Sequence, residues 1–159
     1  MPGKGGGAGI GAWTLDEEAR ELKQHLGRLL VSTRGRSMLG ISANINRWLE
    51  TVDACDGLLT LFLQHTSASL VVQENTDPDV QADILDALDE LAPADYGWRH
   101  SLEGPDDMPA HVKAALTGVS LQVPVVDRRL DLGTWQEIYV VEHRASGHRR
   151  SLTLHYHGT

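Results

Sequence analysis

The sequence predicts an α+β fold: a single compact domain with a mixed or antiparallel sheet core packed by helices. Three observations carry this. Short apolar runs suited to strands recur at about 26–33, 58–65, 69–74, 119–126, 136–143 and 150–156. Segments with helical spacing interrupt them irregularly, which argues against a repeating βαβ sheet. The 159 residues show no internal repeat and no second composition regime, so one domain suffices.

Residues 1–12 are glycine-rich and read as a flexible tail, without the apolar core a signal peptide needs. An N-terminal helical extension over 13–25 follows. In it Thr14 stands three residues before Glu17 in capping-box spacing, and Leu15, Ala19 and Leu22 repeat at helical intervals. The main domain then spans 26–159. Ile41, Ile45, Trp48, Leu49 and Val52 share one face of a helix over about 41–54. The run 58–65 is apolar on both faces, which predicts a strand buried on both sides. Thr76 or Asp77 caps the next helix, with Pro78 at its first position, where the missing N–H is harmless. A polar loop spans Pro93 to Pro109, a short helix covers 110–117, and three strands finish the chain.

Lys and Arg number 14 against 22 Asp and Glu, a net charge of −8. That sign disfavours nucleic acid and anionic membranes as partners. Cys55 is the only cysteine, so no internal disulfide is available, and a cytoplasmic location is expected. Of eight histidines, four adjoin other polar groups at strand ends or in the loop: His65, His100, His111 and His143. His65 ends an apolar run and enters Thr66-Ser67-Ala68-Ser69; it is either a phosphate-contacting group or a hydrogen-bonded ring at the rim of the core. His100 and His111 flank a loop holding Asp106 and Asp107. Imidazoles with carboxylates between them suit zinc or another divalent cation. The expected metal ligands are His65, His100 and His111, with Asp106 or Asp107 orienting an imidazole. On the strand 136–143, alternation puts Gln136, Glu142 and Arg144 on one face and His143 on the other. Arg144 there either pairs with Glu142 or presents a guanidinium to an anion.

Several motifs in order carry a family resemblance. They are His65-Thr66-Ser67-Ala68-Ser69-Leu70, Glu74-Asn75, Asp77-Pro78, Glu103-Gly104, Asp106-Asp107-Met108-Pro109-Ala110-His111, Leu132-Gly133-Thr134-Trp135-Gln136 and Glu142-His143-Arg144. Over about 26–158 the chain resembles the YjbQ-like family, often named secondary thiamine-phosphate synthases. The resemblance implies a homotrimer whose polar residues line a pocket for a small phosphorylated substrate. The reaction it implies joins a pyrimidine diphosphate to a thiazole phosphate and releases pyrophosphate. His65, Asn75, Glu142 and Arg144 would then be catalytic, with Ser67, Asp106, Asp107, Gln136 and His143 binding the anion or supporting the site. The cofactor would be a divalent metal, zinc or, with a diphosphate substrate, magnesium. The alternative is a trimeric protein that binds such a metabolite without transforming it. Glu137 departs from the family pattern, which commonly has glycine there, and is expected to alter the site's shape or charge.

Overall fold

The computed structural model describes residues 21–159. The predicted tail over 1–12 and the helical extension up to residue 20 lie outside the described residues. The elements are β1 (Lys23–Ser32), β2 (Ser37–Gly40), α1 (Ser42–Thr51), β3 (Gly57–Leu63), β4 (Ala68–Glu74), α2 (Pro78–Leu91), α3 (Asp107–Thr117), β5 (Ser120–Val126), β6 (Arg129–Leu130), β7 (Gln136–Glu142) and β8 (Arg149–Gly158). They form two antiparallel sheets, ordered β1-β8-β3-β5-β6 and β2-β7-β4. The domain is α+β, as predicted.

The smaller sheet lies between two apolar layers. Leu70, Ile138 and Val140 join Leu59, Leu61, Leu152, Leu154 and Tyr156 of the larger sheet in one core, to which α1 adds Ile45 and Leu49. Tyr139 and Val141, on the opposite face of β7, pack with Met38 and with Ile84 and Leu85 of α2. So β7 is the strand buried on both faces. The expectation that β3 would be so buried fails, because Leu58 and Phe62 are 40% and 48% exposed on its outer face. Nothing among the described residues covers that side of the larger sheet.

Other boundaries differ for local reasons. Residues 23–25, expected as the end of a helix, pair as strand with Tyr156, His157 and Gly158, giving β8 a partner along its full length. The hairpin between β5 and β6 turns on Asp127 and Arg128, both at positive φ. This is the backbone of a two-residue hairpin turn without the Asn-Gly pair that usually signals one. Asp77 caps α2 by accepting the Asp79 N–H at 2.9 Å, with Pro78 at the first position. Glu137 does the corresponding work for α1: its carboxylate accepts the Ser42 N–H at 2.8 Å. The carboxylate expected to reshape the site thus neutralises an orphan donor at a helix start instead.

Candidate metal centre

The polar loop ends where Asp107 begins α3, three residues earlier than the sequence predicts. That start sets the site, because Asp107 and His111 now lie one helical turn apart on the same face. His100 closes in from the loop. Its Nε2 lies 2.7 Å from Asp107 Oδ2, and His111 Nε2 lies 3.1 Å from the same oxygen. The two imidazole rings are 5.6 Å apart, and one donor atom from each of the three residues falls within 4.8 Å of the others. A tetrahedral metal with bonds of about 2.0–2.1 Å holds its ligand atoms roughly 3.3 Å apart. The cluster therefore needs little adjustment to take a cation.

The tautomer of His111 makes the fit chemical as well as spatial. His111 Nδ1 lies 2.8 Å from the Thr66 carbonyl, which can only accept, so Nδ1 carries a proton. In the neutral ring the Nε2 lone pair then faces a carboxylate oxygen. Two acceptors at that distance require a proton or a cation between them. A backbone carbonyl holding the remote nitrogen is also how metal-binding imidazoles are usually oriented.

Asp107 is buried, with its side chain 2% exposed. Burial works to raise its pKa, but the hydrogen bond from His100 and the charge of Arg144 hold it below the ordinary carboxylate value. Arg144 supplies that charge directly: Nη1 contacts Asp107 Oδ1, Nε donates to Asp106 Oδ2 at 3.0 Å and Nη2 donates to the Glu103 carbonyl at 2.8 Å. Asp106 also accepts the Ala145 N–H at 2.8 Å. Arg144 therefore clamps the loop and aims Asp107, rather than presenting a guanidinium to an anion.

Of the three histidines expected as ligands, His100 and His111 come together, and Asp107 takes the third place. His65 stands apart from the group. Its Nε2 accepts the Ser151 N–H at 2.7 Å, so in the neutral ring the remaining proton sits on Nδ1. Burial, followed by the charge of Arg150, lowers its pKa and keeps it neutral. His65, Thr66 and His111 line one cavity of about 430 Å³ with Ala114, Ala115, Gly118 and Val119.

Glu142 is fully buried and does not meet the Arg144 side chain; it accepts only that residue's backbone N–H, at 3.0 Å. Its partners are Arg150, which donates Nε at 2.7 Å and contacts it again through Nη2, and Thr33 Oγ1 at 2.7 Å. Burial opposes its ionisation, but the Arg150 and Thr33 hydrogen bonds hold its pKa below the usual value. Ser67 is buried and turns its carbonyl to Arg150 at 3.3 Å. His143 lies on the other face of the strand end, 2.8 Å from Ser69 Oγ.

Asn75 and Gln136 do not converge with these groups. Glu74 pairs with Gln136 at one end of the β4–β7 ladder, and Ala68 pairs with Glu142 at the other. Six residues of strand separate the two ends by roughly 20 Å. Asn75 donates to the Thr134 carbonyl at 3.2 Å, and Gln136 accepts the Gly133 N–H at 2.8 Å, so both brace a turn.

Sequence reasoning missed Arg150. Its signal was present: alternation along β8 places it in phase with Leu152, Leu154 and Tyr156, and an arginine on an apolar face needs a buried acid. The part played by the Thr66 carbonyl has no counterpart in residue type.

This arrangement sits in a chain with clear relatives. Residues 28–159 match the family described as UPF0047 protein YjbQ-like. A UPF0047 protein of Synechocystis sp. is 43% identical over 141 residues, covering 88% of this chain and 96% of the relative. The UPF0047 protein YjbQ of Salmonella typhimurium is 49% identical over 96 residues, 60% of this chain and 70% of that protein. Among solved structures, a hypothetical protein from Aeropyrum pernix K1 superposes with a TM-score of 0.78 at 34% identity, covering 85% of this chain and 99% of the other. A YbjQ-like protein of unknown function from Sulfolobus solfataricus P2 gives 0.80 at 26% identity, covering 87% and 100%. The chain belongs to the UPF0047 YjbQ-like family.

Proposed function

We propose that His100, Asp107 and His111 hold a divalent cation and that the adjoining His65 cavity receives the phosphate end of a small phosphorylated substrate. The observation that carries this is the locked His111 ring, whose Nε2 faces a carboxylate oxygen. Two imidazoles and one carboxylate suit zinc or ferrous iron better than magnesium, which prefers oxygen donors and bound water. When bound, the cation would act as a Lewis acid on a phosphate oxygen. The chain's own residues do the rest. His65 donates Nδ1–H into the cavity, Asp107 balances the positive charge, and Arg144 keeps Asp107 in place. The reaction proposed, in line with the family resemblance, joins a pyrimidine diphosphate to a thiazole phosphate with release of pyrophosphate.

One observation favours the second reading, a binding protein without turnover. The Arg144 guanidinium, for which one of the two expected roles was to face an anion, is occupied by Asp106, Asp107 and the Glu103 carbonyl. Pyrophosphate release from the two precursors, measured for wild type and His65→Ala, separates the readings. The synthase reading expects release in wild type and its loss in the variant. Saturable binding of the precursors with no pyrophosphate from wild type would replace synthase with binding protein.

The proposed assembly is a homotrimer. Asn75 and Gln136, roughly 20 Å along the ladder from Glu142, would reach a metal centre only from a neighbouring copy. Light scattering at micromolar concentration should give three times the chain mass; a stable monomer would remove both claims.

A further inference from the structure

A second cavity lies beside the strand end that carries His143; Asp106 lines it, and His100, Asp107 and His111 do not. Its volume is about 570 Å³, larger than that of the His65 cavity. Its walls are largely small apolar residues, Ala92, Pro93, Pro109 and Ala145 among them, while Arg36, Lys113 and His143 supply polar groups. Lys113 and His143 are only 6% and 4% exposed. Buried charged and imidazole side chains facing a cavity are uncommon unless something there uses them.

The hydrogen-bond pattern defines what these groups offer. Ser69 Oγ is buried, and its only hydrogen-bond partner among the described residues is His143 Nε2, at 2.8 Å. Were Nε2 protonated, the Ser69 proton would have no acceptor. The hydroxyl therefore donates to Nε2, and the proton of the neutral ring sits on Nδ1. No side chain or carbonyl among the described residues engages that Nδ1–H. Burial, followed by the charge of Lys113, lowers the His143 pKa to about 4, so the ring is neutral at physiological pH. The Lys113 ammonium contacts one acceptor, Asp89, and keeps further N–H groups free. Arg36 uses Nη2 on Asp86 at 2.8 Å and Nε on Asp89 at 3.3 Å, which leaves Nη1. Asp106, the other acid at the cavity, is committed to Arg144. Lys113 and Arg36 thus share Asp89, Arg36 also holds Asp86, and each of the two cations and His143 keeps an N–H group that no acceptor among the described residues takes.

We infer that this cavity is a second ligand site, separate from the metal centre, for a small organic acid. The carboxylate would lie against His143 Nδ1–H, Lys113 and Arg36, and a compact apolar body would pack on the alanines and prolines. Among the described residues only His100, Asp107 and His111 are grouped closely enough to ligate a metal, and none of the three lines this cavity.

The test is NMR of protein with 15N-labelled histidines, titrated with sodium benzoate and, in parallel, with its neutral counterpart benzamide. The expected result is a saturable shift of the His143 Nδ1 resonance with millimolar benzoate and little movement with benzamide. Arg36→Gln, a change at a half-exposed side chain, should weaken benzoate several-fold without altering the rest of the spectrum. Lys113→Gln should weaken it more, but that variant can also unfold, so the Arg36 variant carries the decision. A His143 resonance that stays still overturns the proposal, as do equal shifts with benzamide or unchanged affinity in Arg36→Gln. Shifts confined to His100 and His111 would place the probe on the metal centre and also overturn it.

Discussion

Replacing Arg150 by methionine should destabilise the protein by about 3–5 kcal/mol, because it leaves Glu142 charged, buried and without its main partner. At this chain length that corresponds to a fall in melting temperature on the order of 10 °C. The effect is large because Glu142 has no access to water and its carboxylate is held by Arg150, Thr33 and the Arg144 N–H. The double replacement Glu142→Leu/Arg150→Met should recover much of the loss, since a packed apolar pair removes the uncompensated charge. Thermal unfolding followed by circular dichroism checks both. A single variant as stable as wild type would mean that water or a shifted side chain already screens the pair.

The same pair sets a pH dependence whose sign follows from the depressed Glu142 pKa. Its contribution is fully present above the unfolded value of about 4.3 and is lost as pH falls through the lower folded value. In Glu142→Gln, the part of the acid destabilisation due to this group should be missing.

Arg144→Gln should weaken metal binding about 10–100-fold while the fold persists, the range found when a group that orients a ligand is removed. Arg144 touches no proposed ligand atom of the imidazoles. It acts through Asp107 Oδ1, leaving Oδ2 toward His100 and His111. Competition against a chromophoric chelator gives the affinity, and circular dichroism checks the fold. Unchanged affinity would show that the Asp107 orientation is set by the helix alone.

Much of this architecture is legible in the residues because local rules and tertiary packing agree. Asp77-Pro78 opens α2 by chemistry that needs no neighbour, and the apolar spacing of Ile45 and Leu49 marks the buried face of α1. The failures come where the neighbour decides. Leu58 and Phe62 look like core residues, yet β3 lies in a sheet with one uncovered face, while the two-sided burial belongs to β7. β2 and β6 are too short to show periodicity and exist because β7 and β5 offer them hydrogen bonds.

The site divides in the same way. His100 and His111 stand out by residue type and by the acids between them. That Asp107 rather than His65 completes the group depends on α3 starting at Asp107, which sets the one-turn spacing to His111. The same-face relation of Glu142 and Arg144 predicts a pair, but strand alternation cannot show that Arg150 occupies Glu142 first, or that the chain leaves β7 before Arg144 and swings its side chain to the loop.

Elemental analysis of protein purified without chelator, after incubation with zinc and removal of excess by gel filtration, tests the metal centre most directly when run beside His111→Ala. With His111 Nδ1 held by the Thr66 carbonyl and Nε2 facing Asp107, wild type should hold about one transition metal per chain tightly, with a marked loss in a variant that keeps its fold. Wild type without stoichiometric metal would contradict this assignment. So would full occupancy in His111→Ala, and His100, Asp107 and His111 would then be a proton-sharing ion pair cluster instead.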